Sequence, residues 1–226
     1  MGGLRVSRQL TVVIIVATLL MMGGCAGKHV TETERMQARS AFEVGTRQLN
    51  ERQLAQALTS LTQATTLDPD VAIYRNVLGI VYLQFGRPDL AQPEFQRATE
   101  LDRGFAEAHL NLGTALAEQQ QWAPAVAAYE RAIKSPRLIS TDIAYQNLGL
   151  ALFHLNRFPE AEQALRFAIN LDPTMAPAYY HLGLVLAAGN RTAEARRAFE
   201  QARDLAPNTP FGQAATDRLK SLDGGG

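Results

Sequence analysis

The chain has 226 residues, 46% of them apolar and only 7% aromatic. That is enough for a buried core, in a mix that suits closely packed helices better than strands, which favour bulky β-branched and aromatic residues. Its 22 basic and 22 acidic side chains cancel without forming a block of like charge, which removes the electrostatic footprint of a nucleic-acid-binding protein, and a single cysteine, Cys25, excludes an internal disulfide.

Arg5 and Arg8 give the chain a positive start, and Leu10 to Met22 forms an apolar run interrupted only by Thr11 and Thr18. Thirteen residues of helix span about 20 Å, short of the ~30 Å hydrocarbon core of a bilayer. Positive charge, a short apolar run and then small residues is the layout of a secretory signal. The run ends Met22-Gly23-Gly24-Cys25, which resembles the lipobox of bacterial lipoproteins, with Met22 where leucine is usual. The resemblance implies a signal peptide over residues 1–25 and acyl chains, palmitate among them, on Cys25. Two or more such chains hold a protein stably at a membrane, where one holds only marginally. The other reading is an uncleaved anchor helix with an idle thiol. Ala26, rather than aspartate, follows the cysteine, which by the same resemblance implies the periplasmic face of the outer membrane. Residues 26–37 are polar and read as a tether.

Beyond the tether an internal period organises the sequence. Glycines recur at Gly45, Gly79, Gly113, Gly149 and Gly183, spaced 34, 34, 36 and 34 residues apart. Twelve residues after each comes alanine (Ala57, Ala91, Ala125, Ala161, Ala195), and seven further on alanine again (Ala64, Ala98, Ala132, Ala168, Ala202). Between the alanines lies a large apolar residue: Leu61, Phe95, Tyr129, Leu165 or Phe199. Glycine and alanine at these offsets remove bulk where paired helices approach, and the large residue is expected to fill the space between repeats. This pattern resembles the tetratricopeptide repeat (TPR), a helix–turn–helix unit that must stack on neighbours to complete its core. The fold expected is an all-α right-handed superhelix of five repeats, at 38–71, 72–105, 106–141, 142–175 and 176–209. Turns are marked by Gly86-Arg87-Pro88, Asn156-Arg157-Phe158-Pro159 and Gly189-Asn190. Pro93 should remove a hydrogen bond from the second helix of repeat two and bend it. Two departures stand out. Ala41, Arg75, His109, Tyr145 and Tyr179 occupy the place of an early tryptophan, and Arg103 and Arg137 replace the closing proline kept as Pro69, Pro173 and Pro207. Phe211 to Leu222 reads as an amphipathic capping helix, within a terminal segment of 210–226 that ends in a glycine tail.

In TPR proteins the second, fifth, ninth and twelfth side chains of each repeat face a concave groove. The resemblance therefore places Ile73, Asn76, Ile80 and Leu83 of repeat two there, with Glu107, Leu110, Thr114 and Ala117 of repeat three. Repeat four adds Ile143, Gln146, Leu150 and Phe153, and repeat five Pro177, Tyr180, Leu184 and Ala187. Most are apolar, so the groove is expected to take an extended or helical apolar segment of a protein partner unless the terminal helix covers it. It lacks the lysines and arginines that would clamp a carboxylate. Asn111 and Asn147 are read as bridges between helices. His109, His154 and His181 fall in separate repeats with no ligand spacing, and no nucleophile elbow or phosphate loop occurs, so neither enzyme activity nor a metal or cofactor is expected.

The lipobox, the all-TPR body and the two-residue insertion in the loop Ser135–Thr141, before Asn147-Leu148-Gly149-Leu150, together resemble the type IV pilus biogenesis pilotin group (PilF, PilW and Tgl type). That resemblance implies a lipid-anchored assembly factor whose partner is an outer-membrane secretin subunit. The alternative is a lipid-anchored scaffold of another envelope complex, in polysaccharide export or cell-wall synthesis. The chain departs from the group at its end, where a capping helix stands in place of a sixth repeat.

Overall fold

The computed structural model describes residues 30–223, and every regular element among them is a helix. The signal segment, Cys25 and the last three glycines lie outside the described residues. Five antiparallel pairs follow one another: α1 (Glu32–Asn50) with α2 (Leu54–Leu67), α3 (Ala72–Gln84) with α4 (Pro88–Leu101), and α5 (Ala106–Glu118) with α6 (Trp122–Ile133). Then come α7 (Thr141–His154) with α8 (Phe158–Leu171), α9 (Ala176–Ala188) with α10 (Thr192–Leu205), and a single closing helix, α11 (Pro210–Asp223). Each pair is one of the five expected repeats. Residues 32–37, expected within the tether, already belong to α1, which begins at Glu32. A capping box sets that start: the Glu34 amide donates to Thr31 Oγ1 at 3.2 Å while the Thr31 amide donates to the Glu34 carboxylate at 2.8 Å.

The turn inside each pair places one residue in the left-handed region, at the same point of every repeat: Arg52, Gly86, Gln120, Asn156 and Asn190, with φ between 58° and 67°. Only Gly86 adopts that conformation without steric cost. In repeat five the left-handed residue is Asn190, not the preceding Gly189. Pro88 and Pro159 sit in first turns, where their missing N–H is no loss, and α4 continues as helix past Pro93 to Leu101.

The large residue of each repeat sits first against the glycine of its own pair, rather than only between repeats. A Cβ placed on Gly45, Gly79, Gly113, Gly149 or Gly183 would come within 2.7 Å of Leu61, Phe95, Tyr129, Leu165 or Phe199 respectively. Those five side chains are essentially fully buried, each stabilising the fold by roughly 1.5–3 kcal/mol. From this seat Phe95 also reaches Ala115 of the following repeat, so one side chain joins a pair and links two pairs.

First helices of adjacent repeats come into backbone contact (α1 with α3, α3 with α5, α5 with α7, α7 with α9), whereas second helices do not. The stack therefore curves with α1, α3, α5, α7 and α9 on its inner, concave side. α11 takes the place of a next first helix, touching only α9 and α10. Its outward residues Gln213, Asp217, Arg218, Lys220 and Ser221 are exposed and polar, as a helix that ends a solenoid requires.

Candidate partner-binding groove

The inner helices carry the side chains expected in the groove, and the structure sorts them. Ile73 and Ile143 are exposed, at 40% and 44%. Ile80, Leu83, Gln146, Leu150, Phe153, Tyr180 and Leu184 are half-buried. Asn76 and Leu110 are buried, at 4% and 8%, and offer little to a ligand. The Asn76 side chain is spent internally, its Oδ1 accepting from Asn111 Nδ2 at 3.0 Å. Gln146 occupies the same place two repeats later and lies 3.1 Å from Nδ1 of His181. An amide nitrogen only donates, so Nδ1 accepts and the imidazole is neutral with its proton on Nε2. Burial, with the nearby His154 second, pushes the His181 pKa down to about 4. Polar rungs thus tie α3 to α5 and α7 to α9. Between α5 and α7 the corresponding position is the apolar Leu110, and no such rung forms.

At that junction the groove opens into a hollow of about 210 Å³ lined by Thr114, Ala117, Glu118, Trp122, Tyr129, Asn147, Leu150 and Ala151. Thr114, Ala117 and Leu150 are the expected groove residues it contains. Glu118, Trp122 and Asn147 were not legible as groove residues, because they belong to the site only once α5, α6 and α7 pack together. Burial raises the Glu118 carboxyl above its ordinary pKa and pushes the Tyr129 phenol up to about 12, so the floor of the hollow resists carrying negative charge. Trp122 stacks on His154 with ring centroids 3.9 Å apart and planes 7° from parallel, and Phe153 meets the same imidazole edge-on at 5.7 Å. The tryptophan therefore packs repeat three on repeat four.

The closing helix covers one end of the groove. Phe211 meets Tyr180 at 5.9 Å and His181 at 5.6 Å, both edge-on. Because α11 reaches no helix before α9, the stretch from Ile73 to Phe153 stays uncovered by it. The lengthened loop before α7 buries Leu138 in the main core and leaves Ile139 89% exposed. Among the described residues no cluster of three or more His, Cys, Asp or Glu side chains could hold a metal ion, and no helix is long and apolar enough to cross a membrane.

The family model described as Tetratricopeptide repeat matches residues 42–91, 77–138 and 146–210. An uncharacterized protein of Haemophilus influenzae is 25% identical over 170 residues, 74% of this chain and 92% of that one. Among solved structures, MamA is 24% identical, with 76% of this chain and 92% of that chain covered and a TM-score of 0.67. PilF of Pseudomonas aeruginosa is 19% identical, covering 86% and 96%, also at 0.67. YrrB, a TPR protein described as having an unusual peptide-binding site, is 22% identical, covering 82% and 94%, at 0.69. At these identities the likeness to solved structures is one of fold.

Proposed function

Because this chain belongs to the tetratricopeptide repeat family, with three matches that together span most of its length, we propose that its concave groove shelters an apolar segment of an unassembled outer-membrane secretin subunit. The chain itself is a protein-interaction scaffold. Acyl chains on Cys25 would hold it at the periplasmic face of the outer membrane, where the groove would cover the segment until neighbouring subunits bury it. One observation carries the reading: an uncovered inner face with Ile73 and Ile143 exposed and an apolar-walled hollow at Leu150, a surface that a monomer rarely leaves to water without a use. The fold likeness to PilF agrees with it.

The test compares secretin multimers in cells with and without the gene, alongside crosslinking from a photoreactive residue at position 150. Loss of multimers and a crosslink to the secretin subunit are the expected results. Unchanged multimers and normal pili would remove the assignment.

The second reading, a lipid-anchored scaffold of another envelope complex, draws on the equal fold likeness to MamA. Normal secretin multimers together with a crosslink to a glycosyltransferase or cell-wall polymerase would favour it.

A further inference from the structure

Curvature that brings the first helices together spreads the second helices apart, and each gap between them is a wedge on the outer side of the solenoid. Two of these wedges differ in their charge. Between α8 and α10 the wedge is about 240 Å³, floored by Tyr179 and Leu182 of α9. Most of the charge around it is paired: Arg166 bridges to Glu162 at 2.8 Å and Glu194 at 3.9 Å, and Arg191 to the same two carboxylates at 2.6 Å, which leaves Arg197 as the single lining cation without an ion pair among the described residues.

The wedge between α4 and α6 is about 630 Å³, floored by His109 and Leu112 of α5. These floor residues hold the same repeat positions as Tyr179 and Leu182. Its rim carries Arg103, Arg131 and Lys134. None of the three has an ion-pair partner among the described residues, although most of the arginines there do. The carboxylate present, Glu100, is already held by Arg97 at 3.3 Å. These cations are particular to this wedge: Arg103 stands where Pro173 stands two repeats on, and Lys134 where Asp204 stands.

The floor of the wedge adds a different requirement. His109 is 7% exposed, and its Nε2 donates to the Arg103 carbonyl at 3.1 Å. Its Nδ1 is the buried side-chain polar atom without a partner among the described residues. A buried polar atom left unpaired costs about 1–3 kcal/mol unless something meets it; with the ring proton on Nε2 this nitrogen is an acceptor, so a hydroxyl on a ligand's organic body, not a bare phosphoryl oxygen, is the group that would satisfy it.

We propose that the α4–α6 wedge is a binding site for a phosphoryl group carried on a larger organic body. Three cations against one engaged carboxylate leave the site with the net charge that a phosphate monoester dianion balances. Arg103 and Arg131 supply planar donor forks suited to phosphoryl oxygens, and Lys134 a point charge. The volume far exceeds that of phosphate alone, and Leu112 and Thr99 offer a wall to the rest of the ligand. A soluble ester and a lipid headgroup present the same recognised chemistry, and the two probes below separate them. The site lies on the opposite side of α5 from the groove and stands independently of the partner assigned there.

Calorimetric titration of the full chain in a nonionic detergent tests this, with glycerol 3-phosphate as one probe and dioctanoyl phosphatidate below its micelle threshold as the other. Saturable binding of at least one probe is expected, with a shift of the His109 ring signals in ¹⁵N-labelled protein. Arg131→Gln and Lys134→Gln, both at exposed positions, should each weaken binding about tenfold or more. Arg197→Gln, in the α8–α10 wedge, should leave it unchanged. Preference for the first probe identifies a soluble ester, and preference for the second a lipid headgroup. Absence of saturable binding with both probes, or equal weakening by Arg197→Gln, overturns the proposal.

Discussion

Repeats three to five and the closing helix share one continuous core, running from Ala106 to Leu219 and taking in Tyr129, Leu165 and Phe199. Repeats one and two instead hold three smaller clusters, around Leu61, Tyr74 and Phe95. Yet the glycine-and-large-residue seat is the same in all five repeats. The difference teaches that the seat builds a pair, while continuity between pairs depends on what surrounds it. Repeat one has no helix before it among the described residues, and α11 covers repeat five. In a solenoid, stability is a sum of unit and nearest-neighbour terms, so the first two repeats should open before the last three.

The largest test of that contrast is to remove a seat residue from each region. Phe199→Ala should cost about 3–5 kcal/mol and Leu61→Ala about 2–5 kcal/mol. In hydrogen exchange followed by mass spectrometry, the first should lower protection across α5 to α11, the second only across α1 to α4. A single transition in which Leu61→Ala exposes every helix equally would break the comparison.

Acid should narrow the difference. With the His181 pKa pushed down to about 4 from an ordinary 6.5, the unfolded chain binds a proton between those values that the folded chain does not. Stability therefore rises with pH across that window. The contribution is complete above about 6.5 and lost as pH falls toward 4, by roughly 3 kcal/mol at most. Denaturant melts at pH 7 and 5 should show this loss in the region of repeats four and five. His181→Asn, which can still meet Gln146, should flatten it.

The smallest effects should ignore the boundary altogether. Gly86 has φ 67° and open space around it, while Gln120 adopts φ 58° with a side chain. Gly86→Ala should lose about 1 kcal/mol, and Gln120→Gly should gain a few tenths to about 1 kcal/mol. Thermal melts of the two variants, shifting in opposite directions, would show that turn strain is local and separate from the core.

The sequence by itself determined the repeat, its five-fold count and the identity of the close-packed residues. Glycine, alanine and one large apolar side chain at fixed offsets leave few ways to pack a helix pair, so Gly113 and Tyr129 were legible as a unit before their contact was known. Which side of each first helix is expected to face inward came from the resemblance to the repeat family rather than from the spacing of the residues. What the sequence did not determine was exposure on that face. Asn76 and Leu110 are buried and Ile143 exposed because of where neighbouring first helices meet in the assembled stack. The Glu118–Trp122 hollow and the cationic wedge at Arg103, Arg131 and Lys134 were equally invisible. Their members lie in separate helices, and only the curvature of the assembled repeats, pressing one layer together and parting the other, brings them to a common place.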